Sequence, residues 1–343
     1  MKFESISKET VLLNPRKSMA RESIPSEIRK DPLTGRTARI CHFMALNWPK
    51  TDFDQLVGDT GKTCPFCPER IMDVTPSFPD DILKGGRLVS GDMVLFPNLA
   101  PYDGLSAVAV MSGRHFIPML DITPEIMAKA FAFSLDFFRR IHATGHPESV
   151  YHIVNWNYMP PSGSSILHPH LQVFVSSTAP NLMREELEAA SAYRNENGSN
   201  YWVDLVETEE KSGKRFLGRI GRTAWMMAYA PMGVAGDVVA VVDGAHSTLD
   251  LSEQDLLDLA QGFSHAIAAY DKMGIFSFNM NFFTGAVGDK TGLFHAVFSP
   301  RIYFNKALGT PDVGALRHLY NESLCMAFPE DIATRLRPFY PGA

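Results

Sequence analysis

The stretch His168-Pro169-His170-Leu171-Gln172 places two imidazoles and a carboxamide at alternate positions, directly ahead of the apolar run Val173-Phe174-Val175. Side chains alternate faces along a strand, so residues 168, 170 and 172 are expected to project together. Pro169 lacks an N–H and suits the start of a strand or an edge strand. Three polar groups on one face are costly to bury without partners, which a metal, a phosphate or both would supply. Taken alone, the motif fits a pair of ordinary core or surface histidines equally well.

The composition excludes several classes of partner. The chain has 343 residues, 45% of them hydrophobic, which predicts a large core and about two domains. Its net charge of −6 and the absence of a long basic tract argue against a nucleic-acid partner. We expect neither a signal peptide nor a membrane span, because no apolar run approaches about 18 residues. Four cysteines, two close together and two isolated, indicate a reducing cytoplasm rather than a disulfide framework.

Two long segments, residues 100–176 and 230–298, follow the same order of turn, apolar strand, Gly-x-His, helix and strand pair. Thr123 and Ser252 have the residue types that cap helices, and the helices are expected to end near Ile141 and Lys272. The predicted strand pairs are Val150–Asn157 with His168–Ser176, and Phe276–Phe283 with Leu293–Phe298. Such units predict an α+β fold of antiparallel sheets with helices packed on one side.

The polar segment 177–225 separates the two copies and predicts a domain boundary. We predict a short helix at Leu182–Tyr193, a loop at Asn195–Asn200, and C-terminal helices within residues 312–338. The expected domains are 1–180, with the metal site and the catalytic motif, and 181–343, a degenerate copy. The second copy has His295-Ala296-Val297-Phe298 where its motif should lie, without a second imidazole or a glutamine.

Cys64-Pro65-Phe66-Cys67 is a C-x-x-C motif that can hold one zinc ion. No second C-x-x-C exists, and the first copy offers His115 at a strand end and His168 at a strand start. These four residues predict a Cys2His2 site, which would be structural because four protein ligands leave no open position. A redox C-x-x-C is the alternative, but the thioredoxin-like βαβ pattern is missing.

Together these motifs resemble the galactose-1-phosphate uridylyltransferase family, the transferase branch of the histidine-triad superfamily. Residues 31–35, D-P-L-T-G, and 64–67, C-P-F-C, resemble family motifs, as do Phe96-Pro97-Asn98 and the H-P-H-L-Q stretch. The resemblance covers most of the chain and implies two tandem histidine-triad-like domains and a homodimer. It implies that His170 is the nucleophile and that Cys64, Cys67, His115 and His168 bind zinc. It implies substrate-binding roles for Asn98, Asn157 and Ser165, and the adjacent hydroxyl of Ser164 suits a phosphate oxygen.

The resemblance implies a nucleotidyltransferase that moves a nucleoside monophosphate, UMP, between a nucleoside diphosphate sugar and a hexose 1-phosphate. His170 would carry the nucleotide covalently, which splits the transfer into two displacements. Gln172 cannot titrate, and this favours transfer over hydrolysis. Two alternatives stay open at this point. One is a phosphorylase that uses inorganic phosphate on an ADP-sugar or a dinucleoside polyphosphate. The other is a non-catalytic, zinc-stabilised nucleotide-binding protein.

The sequence departs from the family pattern at several positions. Leu171 replaces a glycine and is expected to crowd the backbone beside His170. Thr284 and Val297 replace two histidines of a second metal site, so we expect that site to be empty. Glu185 and Glu186 are then expected to be solvated helix charges. The base and the sugar are left open.

Overall fold

The structure is a computed structural model that describes residues 1–41 and 47–341. The predicted domains 1–180 and 181–343 therefore include a few residues, 42–46 and 342–343, that lie outside the described part. The strands are β1 Glu4–Asn14, β2 Ala20–Lys30, β3 Thr37–Cys41, β4 Leu88–Ser90, β5 Met93–Pro97, β6 Leu105–Val110, β7 Tyr151–Tyr158, β8 His170–Ser176, β9 Phe216–Ile220, β10 Thr223–Met227, β11 Val238–Val242, β12 Ser277–Phe283, β13 His295–Arg301, β14 Tyr303–Asn305, β15 Thr310–Pro311 and β16 Ser323–Cys325. The helices are α1 Asp54–Gly61, α2 Ile71–Val74, α3 Pro124–Ala143, α4 Asn181–Asn197, α5 Tyr201–Ser212, α6 Glu253–Lys272, α7 Ala315–Tyr320 and α8 Pro329–Leu336.

A single ten-stranded antiparallel sheet runs through both copies, in the order β4-β5-β6-β8-β7-β12-β13-β11-β10-β9. The first five strands come from the first copy and the last five from the second, in mirrored order. The copies join where β7 pairs with β12, with Asn157 opposite Asn279 and Asn155 opposite Asn281. This arrangement confirms the predicted α+β class with antiparallel strands and the repeated strand-helix-strand-strand unit.

One face of this sheet packs against the two long helices, α3 and α6. Strand residues alternate strictly, so Val154 and Trp156 of β7 and Leu171 and Val173 of β8 point into this core. The predicted caps are present, because the Thr123 side chain accepts from the Ile126 N–H and Ser252 forms a reciprocal capping box with Asp255. The helices therefore bury one sheet face and leave the polar residues of β7 and β8 on the other.

The opposite face is treated differently in the two copies. In the second copy, α5 and the end of α4 cover it, and Tyr201, Trp202 and Val206 pack on Val241 and Val297. In the first copy, the segment that contains Cys64, Phe66 and Cys67 packs only on part of the face. The remainder, with His170 and Gln172, is half-exposed.

A smaller four-stranded sheet, in the order β1-β2-β3-β16, stands beside the large one. β1 and β2 form a long hairpin, and β16 pairs in parallel with β3. None of the described helices combines the length and apolar character needed to cross a membrane.

Two local predictions are wrong. Residues 312–338 are not only helical, since β16 lies between α7 and α8. Its three residues carry too little local signal, and their pairing with β3 decides the conformation. The predicted loop at Asn195–Asn200 is shorter, because α4 continues to Asn197 and ends at Gly198, whose positive φ and N–H bond to the Arg194 carbonyl terminate the helix.

Candidate functional site

The four predicted metal ligands meet at one point. One ligand atom from each of Cys64, Cys67, His115 and His168 lies within 4.8 Å of all the others. The His168 Nδ1 atom is 3.8 Å from Cys64 Sγ and 3.7 Å from Cys67 Sγ, and His115 Nδ1 is 3.6 Å from Cys67 Sγ. A tetrahedral zinc ion with ordinary bond lengths would separate sulfur and nitrogen ligands by about 3.6 Å. The cluster therefore has the dimensions and the donor set of a structural zinc site.

Hydrogen bonds fix both imidazoles in the tautomer that a metal requires. His168 Nε2 is 2.6 Å from the Ser112 carbonyl, which can only accept, so Nε2 carries the proton and Nδ1 is bare. His115 Nε2 is 3.0 Å from Thr60 Oγ1, whose own proton goes to the Leu56 carbonyl. Both Nδ1 lone pairs therefore point at the thiols, in the arrangement that orients histidine ligands in metalloproteins.

Burial governs the protonation of this cluster. It lowers the pKa of His168 to about 4, mainly by desolvation, and it also lowers the pKa of His115. Desolvation and the nearby Cys64 raise the pKa of the Cys67 thiol to about 11. The imidazoles are thus neutral, while the Cys67 thiol ionises only with a cation beside it.

His170 opens β8 on the half-exposed sheet face. Its Nδ1 atom is 2.7 Å from the His168 carbonyl, so Nδ1 donates and Nε2 keeps its lone pair. Desolvation lowers the pKa of this imidazole, and Phe66 lies edge-on to it at 5.2 Å between ring centroids. The predicted nucleophile is therefore a neutral, oriented imidazole two residues after a metal-ligand candidate.

The sheet register places Gln172 beside Asn155 and Val108, which it opposes on the neighbouring strands. His170 and Gln172 share a face, whereas Leu171 is fully buried in the helix-packed core behind them. The expectation that Leu171 crowds the nucleophile is therefore wrong. Strand alternation turns this side chain away from the site.

The loop from Met159 to Pro169 carries the predicted phosphate-binding serines. Ser164 is half-buried and donates its hydroxyl to the Ile166 carbonyl, while Ser165 is exposed. Gly163 takes a positive φ of 90°, which lets the loop turn back towards β8. Ser165 thus offers its hydroxyl to solvent, whereas the Ser164 hydroxyl already has an acceptor.

Asn157 and Asn98 lie on the same sheet face as His170 but at opposite ends of it. Asn157 is two residues beyond the Asn155–Gln172 pair, towards the His170 end of β8. Asn98 follows β5, opposite Ser106, and its Oδ1 accepts from the Ala100 N–H. The structure therefore separates the two predicted substrate-binding asparagines along the strands, with Gln172 between them.

The second copy holds a small cavity of about 80 Å³ at the corresponding face. His295 lies at its wall, between the rings of Trp202 at 3.9 Å and Phe283 at 4.8 Å. Its Nε2 is 3.4 Å from Glu186 Oε2, whose side chain is only 16% exposed. The description of Glu186 as a solvated helix charge is therefore wrong, because the fold of α4 carries it inward to His295.

Several contributors to the site were not predicted. Phe66, Ser112 and Thr60 orient the imidazoles, Asn155 borders Gln172, and Asn279 contacts Asn157. Phe66 could have been found inside the C-x-x-C motif. The others are ordinary residues whose role depends on contacts distant in sequence.

No protein-family model matches the chain. An uncharacterized protein of Archaeoglobus fulgidus is 29% identical over 323 residues, which covers 92% of each chain. A GalT-like protein from Arabidopsis thaliana has a similar structure, with a TM-score of 0.68, 19% identity, and coverage of 90% of this chain and 98% of the other.

Two further solved structures share the fold over nearly their whole length. An ADP-glucose phosphorylase from Arabidopsis thaliana, with ADP-glucose bound, has a TM-score of 0.68 at 19% identity, over 91% of this chain and 98% of the other. A uridylyltransferase has a TM-score of 0.66 at 18% identity, over 91% and 97%. The chain therefore has the fold of the galactose-1-phosphate uridylyltransferase-like proteins, as the sequence motifs imply.

Proposed function

We propose that the protein is a zinc-containing nucleotidyltransferase that moves a nucleoside monophosphate, UMP, from a nucleoside diphosphate sugar to a hexose 1-phosphate through His170. The observation that carries this proposal is the hydrogen bond from His170 Nδ1 to the His168 carbonyl, which leaves Nε2 as an oriented nucleophile. The likeness to a uridylyltransferase supports the same reaction class.

In the first displacement, His170 Nε2 attacks the α-phosphorus of the nucleoside diphosphate sugar. The new N–P bond forms as the P–O bond to the β-phosphate breaks, and the sugar 1-phosphate leaves. The imidazole then carries positive charge, which the bond from Nδ1–H to the His168 carbonyl stabilises without removing the proton. In the second displacement, a phosphate oxygen of the acceptor attacks the same phosphorus and the N–P bond breaks.

Gln172 and Asn157 are proposed to donate to the phosphoryl oxygens during both displacements, with the Ser165 hydroxyl at the loop and Asn98 towards the far end of the substrate. Ser164, whose hydroxyl donates to the Ile166 carbonyl, is proposed to contribute its backbone N–H. Amide donors stabilise developing charge without exchanging a proton. Neither Gln172 nor Asn157 can activate water as a base, so hydrolysis of the intermediate stays slow.

Zinc is proposed to be held by Cys64, Cys67, His115 and His168, where it would supply positive charge and a cross-link. Those residues bind the segment before α2 to the start of β8, and so fix the backbone whose carbonyl orients His170. We further propose that the chain divides into domains 1–180 and 181–343 and that it forms a homodimer. We also propose a cytoplasmic location, because a reducing compartment keeps the cysteine thiols reduced.

A phosphorylase of the same fold is the second candidate. The ADP-glucose phosphorylase is as similar to this chain as the GalT-like protein, with the same TM-score of 0.68. Both reactions would share the His170 intermediate and differ only in the acceptor. Dinucleoside polyphosphates are a further class of donor for this candidate.

Label transfer tests the proposal. Protein is incubated with UDP-glucose or ADP-glucose labelled at the α-phosphate, and acid-labile label on the chain is counted. We expect stoichiometric label on wild type and on His318→Asn, a control at an exposed histidine of α7, and none on His170→Asn. Absence of label from every nucleotide sugar would instead support a non-catalytic nucleotide-binding protein.

The acceptor decides between the two candidates. Labelled protein is challenged with hexose 1-phosphates and, separately, with inorganic phosphate. Discharge by a hexose 1-phosphate identifies a transferase, whereas discharge by phosphate to give a nucleoside diphosphate identifies a phosphorylase.

A further inference from the structure

A chain of polar contacts crosses from the second copy to the first at the β7–β12 junction. Asn279 Nδ2 is 2.6 Å from Asn157 Oδ1 and 3.0 Å from the Ser162 carbonyl. Asn279 Oδ1 is 2.5 Å from Arg301 Nη1. Arg301 in turn makes a two-pronged ion pair with Asp312, whose side chain is 2% exposed.

The two ends of this chain fix the amide of Asn279 without ambiguity. The Ser162 carbonyl can only accept, so the group that faces it must be Nδ2. The Arg301 guanidinium can only donate, so the group that faces it must be Oδ1. Both partners demand the same orientation, and rotating the amide by 180° would break both contacts.

The orientation of Asn279 then dictates that of Asn157. Because Asn279 Nδ2 donates, the Asn157 atom that faces it must be the acceptor Oδ1. The Nδ2 atom of Asn157 therefore points away from the junction. Among the described residues, Asn157 Nδ2 has no protein acceptor. The amide therefore keeps its two N–H groups for a ligand on the face that carries His170.

We propose that Asn279 is a positioning residue, which holds the Asn157 amide so that its N–H groups can donate to the phosphate. This inference rests on the proposed function. It gives the second copy a part in the chemistry, although that copy has no nucleophile of its own. Arg301 and Asp312, both in the second copy, hold the Asn279 amide in this orientation.

The test is an isosteric change, Asn279→Asp. A carboxylate accepts but does not donate, so Asn157 must turn its amide over and present Oδ1 to the phosphate. We expect the rate constant for labelling of His170 to fall about 100-fold, the lower end of the usual loss for one oxyanion donor. Asn281→Asp, on the same strand and face, adds the same charge and should leave the rate near that of wild type.

A double-mutant cycle separates positioning from general damage. In an Asn157→Ala background, Asn279→Asp should cause little further loss, because the amide on which it acts is gone. If the full loss persists in that background, Asn279 acts only by supporting the loop, and the proposal is overturned.

A second test does not depend on turnover. The hydrogen-exchange rate of the Asn157 side-chain amide is measured by ¹⁵N NMR on the unliganded protein. We expect fast exchange in wild type and slowed exchange in Asn279→Asp, where the amide donates to the new carboxylate. Unchanged exchange would overturn the positioning role, whereas absence of labelling in wild type would overturn only the proposed function.

Discussion

The two copies share one sheet but use its second face in opposite ways. In the first copy this face is half-exposed and carries His170, Gln172 and Asn157 beside the Cys2His2 cluster. In the second copy α5 covers it, and Trp202 stacks on His295. The comparison indicates that one fold supports either an open, polar face or a second hydrophobic core. In our proposal the open face carries the chemistry, to which the second copy adds Asn279, and the covered face contributes stability.

Disruption of the proposed zinc site should give the largest effect on stability. Cys67→Ser is expected to reduce bound metal from about one ion per chain to near zero and to lower the free energy of unfolding by more than about 5 kcal/mol, because a structural zinc contributes its binding energy to folding. Metal analysis and urea denaturation measure both. Cys325→Ser, at a buried cysteine outside the cluster, should retain the metal. Full metal retention in Cys67→Ser would contradict the assignment.

Opening the covered face of the second copy should damage stability alone. Trp202 is 7% exposed, so Trp202→Ala should lower the free energy of unfolding by about 3–5 kcal/mol. The rate of labelling at His170 should not change while the protein remains folded. Tyr320→Ala removes an exposed aromatic ring and serves as the control. A labelling rate that falls with Trp202→Ala would show that the second face takes part in the chemistry.

Gln172 should affect the reaction and not the fold. Gln172→Ala is expected to slow labelling about 100-fold, or about 2.7 kcal/mol in the barrier, because one amide donor to the phosphoryl group is lost. Thermal denaturation should be nearly unchanged, since the side chain is half-exposed. An unaltered labelling rate would show that Gln172 does not contribute to the reaction.

The pH dependence of stability should reveal the Arg222–Asp255 pair, which links β10 to the cap of α6. The hydrogen bonds from Arg222, followed by those from Ser252, lower the pKa of Asp255 to about 2. Because the pKa of Asp255 is lower in the folded state, the ionised carboxylate stabilises the fold at pH values above its unfolded-state pKa of 3.8. This stabilisation is lost as the pH falls towards 2 and the carboxylate is protonated. Asp255→Asn should therefore cost about 2 kcal/mol at pH 7 and progressively less below pH 4. A cost that is independent of pH would contradict this.

The sequence predicts the features that depend on local spacing. The C-x-x-C, the H-P-H stretch and the two capped helices each carry their signal within a few residues, and the structure brings Cys64, Cys67, His115 and His168 together as predicted. Leu171 is the exception: the same strand alternation that puts residues 168, 170 and 172 on one face puts residue 171 on the other, in the core.

Contacts between distant segments could not be predicted. Asn279 and Asn157 are 122 residues apart, and nothing in the sequence around either residue indicates that they touch until β7 and β12 pair. The inward position of Glu186 depends on how α4 packs on the second copy, and β16 depends on β3. In each case tertiary pairing, rather than local propensity, determines the outcome.

The most direct measurement is to locate and count the nucleotide on the trapped protein by intact mass and peptide mapping after reaction with an α-labelled nucleotide sugar. We predict one nucleotide per chain, bound to His170. Label on His295, label at both histidines, or no covalent nucleotide would contradict the division of labour between the open and the covered face.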